Sequence, residues 1–216
     1  MFPHARPISS PVAVAIALAT VIRATAAADL IAFDETRDGD ASDDRFTPTA
    51  VMLGLGTNTI RGFSGQSPTV DVHDLDYITF TVAEGFQLNS FTLQAASVGG
   101  AFSFVGLQAG PIITIPADWT SLETPLLGWA HFGSADVGQD LLPYMAVSPG
   151  SVGFTGPLLA GTYALWIMEL DTEQHSYSFG LGVAMVPAPC TIAVPILIGA
   201  RRRSRSRSSL AAFTAT

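Results

Sequence analysis

The alternation between Asp74 and Gly85 constrains this chain more than any other feature. In Asp74-Leu-Asp-Tyr-Ile-Thr-Phe-Thr-Val-Ala-Glu-Gly85, Ile78, Phe80 and Val82 share one face, while Thr79 and Thr81 share the other. A period of two with β-branched and aromatic residues specifies a half-buried strand, and Gly85 supplies the turn that ends it. Asp74 and Asp76 have the parity of Ile78, so they are expected to continue the core-facing row past the rim of the sheet. Their Cα atoms are expected roughly 6.5–7 Å apart from the rise per residue. Two carboxylates placed that way either repel each other in solvent or share a cation.

The same reading predicts further strands at Thr49–Leu55, Thr59–Phe63, Phe86–Ala95, Phe102–Leu107 and Leu126–Phe132. Gly161–Leu170 is apolar on both faces, as a central strand would be, and His175–Val183 places Tyr177, Phe179, Leu181 and Val183 on one face. With a turn at Asp171–Gln174 these last two are expected to form an antiparallel hairpin. Apart from the N-terminal segment no helical period stands out. About eight short strands joined by Gly- and Pro-containing turns predict an all-β antiparallel sandwich.

Charge divides the chain. It has 216 residues, no lysine, and a formal charge of −8. All 18 acidic residues lie between Asp29 and Glu173, where Arg37, Arg45 and Arg61 are the only basic ones, so that body carries −15. Such a surface disfavours nucleic acid and suits cations. Hydrophobic residues at 48% against 13% charged supply a core and argue against disorder. The single cysteine, Cys190, permits no intrachain disulfide.

The ends read as addresses. His4 and Arg6 precede the apolar run Val12–Ile22 and the small residues Ala26-Ala27-Ala28, so residues 1–28 are expected to be a cleaved signal helix. An acidic loop is expected over 29–48 and the sandwich over 49–186. At the other end Pro187 and Pro189 precede a short apolar segment, then a cluster containing Arg201, Arg202, Arg203, Arg205 and Arg207, and a tail over 208–216. An apolar segment followed by arginines stops in a bilayer with the charges on the cytoplasmic side. The order over 187–207 resembles the PEP-CTERM sorting signal, which exosortases recognise and remove. Ala188 stands where that pattern usually has Glu, the apolar segment is short and holds Pro195, and the tail runs on past the arginines. The resemblance implies an exported protein of the cell envelope or outer surface. Its partners would be the export machinery and an exosortase, with exopolysaccharide or matrix as surroundings and the membrane touched only in transit.

Asp74-Leu-Asp-Tyr-Ile-Thr-Phe-Thr-Val, together with Leu159-Ala-Gly-Thr-Tyr-Ala-Leu-Trp-Ile, resembles the bacterial pre-peptidase C-terminal (PPC) domain. That family's pattern is D-x-D-x-Y/F-x-F-x-V followed by L-x-x-G-x-Y-x-x-x-V. The resemblance implies a jelly-roll-like β-sandwich. In relatives that bind calcium the ligands come from an acidic N-terminal segment and from the Asp residues before this strand. Asp74 and Asp76 match the second group. The acidic stretch Asp34–Asp44 corresponds by location, and Asp38, Asp40 and Asp43 are its candidate ligands. Clustered oxygen ligands without cysteine point to a hard cation, so calcium is the expected cofactor.

Catalytic motifs do not emerge. G-x-S-x-G, H-E-x-x-H and the phosphate-binding loops are missing, and His73, His131 and His175 are widely spaced. The expectation is a non-catalytic exported surface or matrix protein. A carbohydrate- or matrix-binding module is the second reading, with Trp119 as the aromatic in a clear loop, and a secreted hydrolase is the third.

Overall fold

A computed structural model describes residues 29–66, 73–97, 103–116, 125–169 and 173–187. The signal segment, Trp119, Pro189, Arg201, Arg202, Arg203 and the tail lie outside the described residues. The chain divides into a unit ending at Val186 and a second unit from Pro187 onward; the first is described below.

It is an all-β, mainly antiparallel sandwich. Its strands are β1 (Leu30–Asp34), β2 (Thr49–Val51), β3 (Gly56–Gln66), β4 (His73–Val82), β5 (Phe86–Ala96), β6 (Ser103–Ala109), β7 (Leu126–Phe132), β8 (Gly161–Met168) and β9 (Gln174–Met185). Single helical turns form at α1 (Glu35–Asp38) and α2 (Leu142–Met145). The strand order is β5-β9-β3-β4-β8-β6-β7. One layer is β5, β9 and β3, with β1 laid parallel to β3. The other is β4, β8, β6 and β7, with β2 parallel to β4. Among the described residues the strands of the two layers pair where Gly65 and Gln66 of β3 meet Asp74 and His73 of β4.

The core between the layers follows the period-two rows. Ile60, Phe91, Leu93, Phe179 and Leu181 face Ile78, Phe80, Val105, Leu107, Leu165 and Ile167. Phe91 stacks on Phe179 with centroids 4.8 Å apart, and Phe132 meets Phe179 edge-on at 5.1 Å. A second cluster covers the outer face of the β4–β8–β6 layer, built from Tyr77, Phe104, Trp166, Ile113 and Ile115. It explains why β8 is apolar on both faces.

Several boundaries differ from the sequence reading. The expected hairpin of the last two strands does not form: β8 pairs with β4 and β6, whereas β9 pairs with β3 and β5. Adjacent strands here cross between layers, which a period-two pattern does not reveal. The expected strand at Thr49–Leu55 shrinks to Thr49–Val51, and the expected short strand at Thr59–Phe63 grows into the long β3. There Asn58 is buried and its side chain bonds the Gly54 N–H and the carbonyls of Gly54, Gly56 and Leu181. The acidic stretch expected as a loop begins as β1 and α1 and belongs to the sandwich.

Candidate metal centre

The site grows from three elements. On β4 the core-facing row runs Asp74, Asp76, Ile78, Phe80, and Asp76 is fully buried. On β9 the facing row brings Tyr177 into the same core. On β3 the inward row is Ile60, Gly62, Ser64, and Gly62 is in register with Tyr177. α1 closes this end of the sandwich. Its start is fixed by Asp34, whose carboxylate accepts from the Thr36 N–H at 3.1 Å and hydroxyl at 2.7 Å, a side-chain N-cap. Arg61 donates to the other Asp34 oxygen at 2.5 Å. That hydrogen bond, with those from Thr36, holds the Asp34 carboxyl down at about 2.

Capping in that position turns Glu35 inward. Its carboxylate accepts from the Ala41 N–H at 3.2 Å and from the Phe63 N–H at 2.5 Å. One carboxylate oxygen from each of Glu35, Asp40 and Asp76 then lies within 4.8 Å of the others. That is the span of two oxygens on opposite sides of a calcium ion at about 2.4 Å each. Asp74 stands at the edge, its Oδ2 accepting from Gln174 Nε2 at 3.1 Å.

The electrostatics of this group are unfavourable without a counter-ion. Both oxygens of Asp76 and one of Asp74 are buried without a hydrogen-bond partner, and the Tyr177 hydroxyl is likewise unpaired. Burial, then the charges of Glu35 and Asp74, push the Asp76 carboxyl well above the usual range. The nearby Tyr177 hydroxyl acts in the opposite sense, towards the charged form, but does not reach bonding geometry. Burial raises Glu35 to about 7 against the two backbone N–H bonds it accepts, and raises Asp74 to about 6. Tyr177 is also pushed up, by burial first and then by Asp76 and Glu35. Buried carboxylates in native proteins normally have partners.

Room for the group is made by one missing side chain. A Cβ at Gly62 would stand 2.7 Å from the Tyr177 hydroxyl and 2.8 Å from Glu35 Oε2. The oxygens, the orphaned acceptors and this cradle fit a hard divalent cation held by Glu35, Asp40 and Asp76, with Asp74 beside it.

Of the residues expected from sequence, Asp76 and Asp40 come together and Asp74 adjoins them. Asp43 does not join the group: its Oδ1 accepts from the Leu75 N–H at 2.9 Å, tying the acidic stretch to β4. Asp38 is also apart, engaged by Arg37 at 2.6 Å and by the Asp34 N–H at 3.0 Å. Glu35 is the residue sequence reasoning missed. The available signal was Asp34-Glu-Thr-Arg, an Asx cap followed by an acid in the first turn. The histidines fall on separate strands, His73 on β4, His131 on β7 and His175 on β9.

No family model matches the chain, and no curated protein does. Among solved structures it is similar to the pre-peptidase C-terminal domain of a collagenase from Bacillus anthracis. The identity is 18% and the TM-score 0.32, over 62% of this chain and 94% of that one.

Proposed function

We propose that this is a non-catalytic, exported surface or matrix protein whose sandwich is locked by one calcium ion at Glu35, Asp40 and Asp76. The observation that carries the calcium reading is Asp76, a fully buried carboxylate with neither oxygen partnered, aimed at two further carboxylates. The ion would join α1 and the stretch after it to β4, fastening the N-terminal segment across the corner where β3 pairs with β4. Export rests on the two ends of the sequence: the Ala26-Ala27-Ala28 site and the segment from Pro187 to Arg207.

Two experiments test these parts separately. Gly62→Ala places a methyl group 2.7 Å from the Tyr177 hydroxyl and 2.8 Å from Glu35 Oε2, so both groups must shift. The variant is therefore expected to lose most of the calcium response, with a lower calcium-free melting temperature because the buried Tyr177 must also give way. Retention of the full response would remove Gly62 and Glu35 from the site. For the ends, intact-mass analysis of protein secreted by its native host should find the chain starting near Asp29 and lacking Arg201–Arg207. Recovery of those arginines on the extracellular product would contradict sorting.

A further inference from the structure

The edge strand β7 carries a cleft that shares no residue with the acidic cluster. Gly128, Ala130 and Phe132 are on the buried, inner side of the strand, and Trp129 and His131 are on the other. The segment after β7 turns back through α2 and walls off a cavity of about 350 Å³, within the range of small-molecule sites. Trp129, His131, Asp136, Gln139, Leu141 and Tyr144 line it.

The lining has a definite chemistry. Trp129 is anchored by its indole N–H, which donates to the Pro149 carbonyl at 2.9 Å, and by stacking on Phe104 with centroids 6.1 Å apart. Tyr144 is 59% exposed, so an aromatic body is presented without a fold role to justify it. The polar groups are mostly acceptors. His131 Nδ1 lies 3.1 Å from the Ser103 carbonyl, an acceptor only, so Nδ1 carries the proton and Nε2 of the neutral ring is left to accept. Gln139 donates its amide to Asp136 Oδ1 at 3.2 Å, leaving the Gln139 carbonyl oxygen free. The other Asp136 oxygen accepts from the Gly133 N–H at 3.0 Å, and a carboxylate has lone pairs beyond these.

A cleft with aromatic bodies, three side-chain acceptors and no lysine or arginine in its lining selects a ligand rich in hydroxyl donors, with apolar C–H faces and no negative charge. Addition of a peptide strand to β7 is disfavoured. Trp129 N–H is already taken by Ser148 Oγ at 2.9 Å, and the Leu126 and Leu127 carbonyls are taken by the N–H groups of Val152 and Gly153. We infer that this cleft is a binding site for a neutral saccharide, with Trp129 and Tyr144 against the sugar ring and His131, Asp136 and Gln139 accepting from its hydroxyls.

Affinity gel electrophoresis of the folded chain tests this, with dextran, laminarin, galactomannan and hydroxyethylcellulose in the gels and dextran sulfate as the charged comparator. At least one neutral polysaccharide should retard the protein. Tyr144→Ala and Gln139→Ala, both exposed and outside the core, should each weaken that retardation at least tenfold in Kd with unchanged melting temperature. Trp129→Ala should abolish it, but that variant also loses packing on Phe104, so the two surface variants decide. Absence of retardation in all four neutral gels overturns the inference. So does undiminished retardation of Tyr144→Ala and Gln139→Ala, or equal retardation by dextran sulfate.

Discussion

Calcium at about a hundredfold excess over its Kd is expected to raise the melting temperature of this protein by about 5–10 °C at pH 8. A cation that binds only the folded state contributes RT ln(1 + [L]/Kd), about 2.7 kcal/mol at that excess. One kcal/mol shifts a domain of this size by about 2–4 °C. The effect should shrink at pH 5, and the sign follows from the raised pKa values. Glu35 at about 7, Asp74 at about 6 and the elevated Asp76 bind protons in the folded state that the unfolded chain releases near ordinary carboxylate values. Between about pH 4 and 7 the native state therefore holds more protons, and without metal its stability falls as pH rises. Calcium must displace those protons at pH 5, whereas at pH 8 those of Glu35 and Asp74 are largely gone. Differential scanning calorimetry at the two pH values, with and without chelator, checks this. Diffuse screening of the −15 body would instead respond to sodium chloride as it does to calcium.

Gly128→Ala is expected to be the most damaging single-methyl change in the described sandwich. The added Cβ would stand 2.0 Å from the Met145 carbonyl oxygen and 2.5 Å from its carbon. These are backbone atoms of α2, whose Leu142 and Met145 are buried in the core, so the turn cannot yield without unpacking both. Overpacking of this kind costs about 3 kcal/mol, a fall of about 6–12 °C in melting temperature. Gly54→Ala is the matched control. Its Cβ would meet Leu30 at an ordinary 3.5 Å, and the melting temperature should change by less than about 2 °C. Equal losses in the two variants would show that the contact between β7 and α2 is not tight.

How far the sequence could be read depended on the range of the interaction. Strand identity is a local property, and the alternation of Ile78, Phe80 and Val82 gave β4 its correct face. The row of Tyr177, Phe179, Leu181 and Val183 did the same for β9. Parity put Asp76 on the core-facing row but past the rim of the sheet, whereas β4 starts at His73 and buries Asp76 fully. Partner choice is not local. Nothing in Gly161–Val183 distinguishes a hairpin from two strands in separate layers, because both bury the same rows. The length of β3 was hidden by Gly56 and Gly65 near its two ends, which read as breaks in the strand. Gly65 does have φ near 115° and touches the Glu173 backbone, but Gly62 is a glycine for the sake of Tyr177 and Glu35. Glu35 was missed for a related reason: its direction is set by the Asp34 cap and by the Phe63 N–H, a contact 28 residues away.

Calcium binding by the folded chain, measured by isothermal titration calorimetry after exhaustive chelation, decides whether Glu35, Asp40 and Asp76 form a metal site. One calcium per wild-type chain is expected at pH 8, and none at the same concentrations for Asp76→Asn, which stays folded because an amide removes charge from a site already short of counter-charge. Absence of binding by the wild type, or an unchanged isotherm in Asp76→Asn, would contradict the metal site.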